Sequence, residues 1–158
     1  MRKKPPQVDE DLHSRQLAVY GREAMAKFAN SNVLVIGLKG LGAEVAKNVI
    51  LAGVRSVTLI DPTPADVTDL SAQFYLSPSD VGQARAAACL KRLQGLNPAV
   101  KVEVEQPPAA IDAAFVRRFQ CIVATEMPLA QASAFLGSYC LRQAGTRSFT
   151  LIRPLYRP

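Results

Sequence analysis

The chain has 158 residues, 49% of them hydrophobic and 20% charged, with 19 Lys and Arg against 13 Asp and Glu for a net charge of +6. That is the size and composition of one ordinary globular domain, long enough to bury a core, and no apolar run approaches the ~20 residues that cross a bilayer, so no membrane partner is expected. Three scattered cysteines (Cys89, Cys121, Cys140) and one histidine, His13, with no Cys-x-x-Cys or Cys/His cluster, make a zinc site or a Ser-His-Asp triad hard to build from this chain.

The sparse, odd set of thiols fits a reducing compartment, with each cysteine acting as a small buried apolar residue. The positive charge is unevenly placed. Arg2, Lys3 and Lys4 open the chain, and after Glu126 there is no acidic residue while Arg142, Arg147, Arg153 and Arg157 follow. No aromatic interleaving accompanies these cations, so they read as a solvated surface and no nucleic-acid partner is expected.

Residues 1–8 read as a disordered basic tail, and with no apolar stretch behind the cations they are not a secretory signal. Residues 9–29 have Leu17, Ala24 and Phe28 at helical spacing with Tyr20 between them, and Gly21 divides them into two short helices. Residues 32–36 are a first strand. Residues 40–52 are a helix with Leu41, Val45, Val49 and Ala52 along its apolar side, stopped by Gly53. Ser56-Val57-Thr58-Leu59-Ile60 is a second strand closed by Asp61-Pro62, which completes a right-handed βαβ unit. From Pro62 to Asp80 the Pro, Asp, Ser and Thr content predicts a long loop of the kind that carries function.

Gly82 to Leu93 is alanine-rich and helical, ended by Gly95 and Asn97-Pro98. Val100, Val102 and Val104 alternate with Lys101, Glu103 and Glu105 as a strand with one wet face. After Pro107-Pro108 come a short helix over Ile111 to Arg118 and a buried strand over Cys121 to Ala124. A helix over Leu129 to Gln143 and a final strand over Ser148 to Ile152 follow. The alternation predicts an α/β, Rossmann-like fold with an open, mainly parallel sheet and helices on both faces.

The chemistry concentrates where the first strand meets the first helix of that βαβ unit. Gly37, Gly40 and Gly42 form a G-x-x-G-x-G frame in which one glycine permits the tight turn and the others bring the helix start close to the strand, offering backbone N–H groups to an anion. Asp61 ends the second strand, where a dinucleotide-binding protein holds ribose. One reading is an adenine-nucleotide pocket. The other is a glycine turn that stabilises the fold, with Asp61 capping the loop, because Lys39 stands where a missing side chain would admit a phosphate.

Ser14-Arg15-Gln16-Leu17 with Tyr20-Gly21, the block from Val33 to Val54, Asp69-Leu70-Ser71-Ala72-Gln73-Phe74-Tyr75-Leu76 and Asp80-Val81-Gly82 together resemble the N-terminal half of ubiquitin-activating and SUMO-activating enzymes, within the wider ThiF/MoeB-like superfamily. The resemblance covers roughly residues 11 to 143. It implies an adenylation-type domain over residues 9–144 and a divergent basic tail over 145–158, truncated relative to the family fold. In that family two such folds pair. One binds ATP and the C-terminus of a ubiquitin-like protein, and the other is degenerate.

The chain resembles the degenerate partner. The active type has glycine where Lys39 stands and an Asn and Arg gripping phosphates in the block that here carries Asp69, Ser71 and Ala72; an alanine cannot neutralise a triphosphate. The resemblance matches the active type's phosphate-binding lysine to Arg85 and its magnesium-holding aspartate to Glu126. It also gives Arg15 the part of an arginine reaching in trans to the partner's ATP phosphates; the bland alternative is a surface arginine paired with Asp11 or Glu10.

The resemblance thus implies a non-catalytic component of an ATP-dependent ubiquitin-like-protein activating (ligase-type) enzyme. It binds no cofactor or metal alone, Mg-ATP sits in the site of a catalytic adenylation half, and a ubiquitin-like protein is an indirect partner, in the cytoplasm, the nucleus or both. The alternatives are an independent nucleotide-binding Rossmann enzyme using Gly37, Gly40, Gly42 and Asp61, and a truncated decoy that binds the catalytic half.

Overall fold

A computed structural model describes residues 14–107, 113–127 and 148–151. Five parallel strands, β1 (Asn32–Ile36), β2 (Ser56–Ile60), β3 (Lys101–Val104), β4 (Cys121–Ala124) and β5 (Ser148–Leu151), lie in the order β3-β2-β1-β4-β5. The helices are α1 (Ser14–Ala29), α2 (Gly40–Leu51), α3 (Arg85–Gln94) and the short α4 (Ala113–Val116). The chain leaves β1 in both directions, toward β2 and later toward β4. That reversal puts the carboxyl end of β1 at a switch point, where open parallel sheets place ligands.

The alternation along β1 sorts the core into two layers. Val33 and Val35 join Val57, Leu59 and Val102 against Ala43, Ala46 and Ile50 of α2 and Ala86, Cys89 and Leu93 of α3. Leu34 turns to the opposite face, with Ile60, Ile122 and the aromatic pair Phe115 and Phe119 around α4. The strands contribute β-branched and leucine side chains to both layers, as strands covered on two faces require.

Helix α2 is rotated from the sequence expectation. Its buried positions are Gly42, Ala43, Ala46 and Ile50, whereas Val45 and Val49 are half-buried and Leu41 is 40% exposed. Small residues win the inner stripe because the helix start is pressed onto the strand end, leaving no room for the larger side chains. Helix α3 begins at Arg85, three residues after the expected Gly82, because Gly82 takes a positive φ of 87° that ends a turn and does not start a helix. Gly21, at φ 78° and ψ 164°, breaks α1 as expected. The helix over 129–143, Cys140 and the basic tail over residues 1–8 lie outside the described residues, whereas residues 148–151 of the segment expected as a divergent tail form β5, paired with β4.

The expected loop after β2 carries two 3-10 turns, Val67–Ser71 and Pro78–Asp80, each opened by a reciprocal capping box, Asp66 with Asp69 and Ser77 with Asp80. Asp80 accepts from the Ser77 hydroxyl at 2.6 Å and amide at 2.8 Å and from Arg92 at 2.7 Å. The Ser77 bonds first, and then Arg92, lower its pKa from 3.8 to about 2.

The rotation of α2 sets the cost of truncating either stripe. Ile50→Ala lowers the free energy of unfolding by about 2–5 kcal/mol, while Leu41→Ala changes it by about 0.5 kcal/mol or less, read by urea denaturation; the reverse ranking would put the wrong stripe in the core. Because folding favours ionised Asp80, its contribution is complete above pH 3.8 and lost as pH falls through about 2. Hydrogen exchange at the Ser77 amide therefore shows protection at pH 5 that disappears in that window. An Asp80→Ala chain lacks the protection at pH 5 already, and protection indifferent to both changes contradicts the assignment.

Candidate functional site

At the carboxyl ends of β1 and β2 the backbone turns sharply. Gly37 takes a positive φ of 87°, and its N–H donates to the Ile60 carbonyl at 2.9 Å, closing the turn onto the neighbouring strand. A Cβ on Gly42 would lie 2.0 Å from the Gly37 carbonyl oxygen, so the first turn of α2 packs on β1 only because that position is bare. A Cβ on Gly40 would meet the Ala72 carbonyl oxygen at 2.7 Å. The loop after β2 thus lies over the space that this glycine leaves.

Asp61, 5% exposed, sits beneath this turn with both carboxylate oxygens engaged. Oδ2 accepts from the Leu38 N–H at 2.8 Å and from Arg85 Nε at 2.8 Å, and Oδ1 accepts from the Thr63 N–H at 3.1 Å and from Arg85 Nη2 at 3.3 Å. Arg85 is placed by the start of α3, where the Arg85 N–H donates to the Thr63 carbonyl and the Ala86 N–H to the Asp61 carbonyl. Its Nη1 reaches a second buried carboxylate, Asp69 Oδ2, at 3.1 Å, and that oxygen also accepts from the Asp66 N–H at 3.0 Å. The Arg85 side chain is 6% exposed. Burial works against its charge, but the bonds and attraction to Asp61 and Asp69 outweigh it and raise its pKa.

The upper rim is closed by a second pair. Lys39 Nζ lies 3.6 Å from Glu126 Oε2, and Glu126 packs where a Cβ on Gly37 would go. Thr125 Oγ1 donates to the Gly37 carbonyl at 3.1 Å, tying the end of β4 to the turn. The structure therefore gathers Gly37, Gly40, Gly42, Asp61, Arg85 and Glu126 around one turn. Arg15 is not part of this cluster's bonding. It lies exposed on the first turn of α1, and its side chain makes no hydrogen bond or ion pair with another described residue; Glu10 and Asp11 lie outside the described residues. A cavity of about 750 Å³ opens elsewhere, lined by Phe28, Val33, Val49 and Cys121 among others, and none of the candidate residues lines it.

Sequence reasoning missed Gln73. Fully buried, it donates to the Leu38 carbonyl at 3.0 Å and toward Cys89 Sγ at 3.0 Å, and it accepts from the Tyr75 N–H at 2.7 Å. One amide thus fixes the glycine turn to the loop that covers it. Its only signal was its place in the block from Asp69 to Leu76. Burial pushes the Cys89 thiol up to about 11, against the Gln73 bond that lowers it, so this cysteine is protonated at neutral pH.

Removing one member of the buried cluster strands charge, whereas the rim pair is solvated. Arg85→Ala lowers unfolding free energy by about 3–5 kcal/mol and Lys39→Ala by about 1 kcal/mol or less. Chemical denaturation of the two variants checks this, and equal small losses would contradict the weight given to the buried cluster.

Comparison with known proteins agrees with this architecture. The ThiF family matches residues 13–126. The chain is 52% identical over 137 residues to wheat (Triticum aestivum) ubiquitin-activating enzyme E1 1, covering 87% of this chain and 13% of that one. It is 47% identical over 133 residues to the human ubiquitin-like modifier-activating enzyme 1, covering 84% and 12%. The chain thus spans about an eighth of the length of these relatives. Among solved structures, the E. coli tRNA N6-threonylcarbamoyladenosine dehydratase in complex with AMP superimposes with a TM-score of 0.74 at 22% identity, over 91% of this chain and 58% of that one. That likeness extends to the fold alone. A parallel sheet switching direction at β1, a glycine turn roofed by the following loop, and half-identity to ubiquitin-activating enzymes converge on one conclusion: the chain belongs to the ThiF family.

Proposed function

We propose that this chain is the non-catalytic adenylation-fold component of a ubiquitin-like-protein activating system, pairing with a catalytic half and lending Arg15 to that partner's ATP site. The observation that carries this reading is the contrast between two sets of groups. Those a nucleotide would use are engaged internally: Asp61 and Arg85 with each other, Glu126 with Lys39, and Gly40 against Ala72. Arg15, by contrast, is exposed and has no partner among the described residues.

The residues present do not fit a bound Mg-nucleotide. The cation of the turn itself, Lys39, is paired with Glu126, and the block where an arginine would grip phosphate offers Ala72. The chain therefore binds no nucleotide or metal alone, and Mg-ATP belongs to the partner's site. There a guanidinium supplied from outside meets the charge that builds on phosphate during attack by the modifier's carboxylate. Half-identity to ubiquitin-activating enzymes supports a ubiquitin-like protein as the indirect partner; the cytoplasm, the nucleus or both are the proposed setting.

ATP–pyrophosphate exchange by a catalytic adenylation half, measured with and without this chain, tests the proposal. Exchange rises on addition, and Arg15→Ala removes most of the gain, on the order of a hundredfold for a lost transition-state donor, while the complex still forms. A fall in exchange identifies a decoy, and neither complex nor change overturns both.

A further inference from the structure

Arg85 is the one cation in the described interior, and its surroundings leave it a single geometry. Its Nε and Nη2 grip both oxygens of Asp61 at 2.8 and 3.3 Å, and its Nη1 grips Asp69 at 3.1 Å. Each Asp61 oxygen also takes a backbone N–H, from Leu38 or from Thr63. A carboxylate has about four acceptor positions, and here all four are filled. A ribose hydroxyl approaching Asp61 would meet no free lone pair. It would also have to displace a guanidinium whose side chain is 6% exposed.

We infer that Arg85 is the resident occupant of the nucleoside side of this site, a specificity-determining residue that excludes nucleosides by saturating Asp61. This goes beyond the pairing role, since it concerns the isolated chain and stands or falls without any partner. The phosphate side is closed separately, by Ala72 over Gly40 and by Lys39 with Glu126. The two halves of the site are thus shut by different devices. Opening one does not open the other, so adenosine, which has no phosphate, is the probe that reads Arg85 alone.

Removing the guanidinium outright leaves Asp61 and Asp69 in mutual repulsion. The informative variants therefore relieve that repulsion or keep the charge. Arg85→Ala with Asp69→Asn removes the plug together with one carboxylate, and the new side-chain amide retains an oxygen for the Asp66 N–H. Arg85→Lys keeps a cation, and with it the fold, but a single ammonium cannot hold Asp61 Oδ1, Asp61 Oδ2 and Asp69 together.

Adenosine is titrated into the native chain and both variants by calorimetry. The Leu38 amide, bonded to Asp61, is followed by NMR, and circular dichroism checks the fold. The native chain shows no saturation at millimolar adenosine. Arg85→Ala/Asp69→Asn binds at least about tenfold more tightly and shifts the Leu38 amide, and Arg85→Lys shows a smaller gain. Because the lysine variant keeps the charge, its result decides the matter if the double variant does not fold. Saturable binding by the native chain with a Leu38 shift overturns the inference, and so do folded variants that remain blind to adenosine. Failure of Arg15→Ala to affect pyrophosphate exchange would leave these outcomes unchanged, so the two readings fail separately.

Discussion

A guanidinium held between two buried carboxylates organises this end of the molecule. Arg85 joins three pieces of chain that the sheet alone would leave independent: the end of β2 through Asp61, the 3-10 turn after it through Asp69, and the start of α3 on which Arg85 stands. Three charges removed from water are costly to bring together, and an apolar cluster of the same volume would often be as stable. What the ionic arrangement contributes is direction. Its planar fork fixes where the loop after β2 lies, and that position places the Ala72 carbonyl over Gly40 and Gln73 against Leu38.

The glycines take their meaning from this arrangement. A glycine-rich turn after the first strand of a parallel sheet ordinarily leaves a bare backbone for a ligand to approach. Here the bare backbone is approached by the protein. Glu126 fills the space at Gly37, Ala72 that at Gly40, and the Gly37 carbonyl that at Gly42. The same three residues that would serve a phosphate serve close packing, and the motif alone does not distinguish the two uses. The proposed activity accordingly moves away from the turn, to an arginine on a helix with a single buried residue, Met25.

The sheet is legible in the sequence because β1, β2 and β4 are short apolar runs and β3 alternates valine with charged residues. The expected bounds of all five lie within a residue of their ends, and Gly21 breaks α1 for the reason the backbone shows. The rotation of α2 is not legible. Leu41, Val45 and Val49 form as good an apolar stripe as Ala43, Ala46 and Ile50, and only the contact of Gly42 on Gly37 decides which one faces the strands. Gly37, Gly40, Gly42 and Asp61 are legible by spacing, and Arg85 and Glu126 through the family resemblance, but the bonding among them is not. Asp61 and Arg85 are 24 positions apart, and nothing local indicates that one neutralises the other. Gln73 carries no local signal, because a buried amide is defined by its distant partners at Leu38 and Cys89.

The most direct measurement of the central claim is the nitrogen NMR spectrum of the Arg85 guanidinium in the native chain, recorded with and without millimolar Mg-ATP. A side chain forked between Asp61 and Asp69 gives a slowly exchanging Nε–H and separate Nη signals from hindered rotation, unchanged by the nucleotide. A fast-exchanging, averaged signal, or one that moves on adding Mg-ATP, would mean that Arg85 is free to meet a ligand and that the site is open.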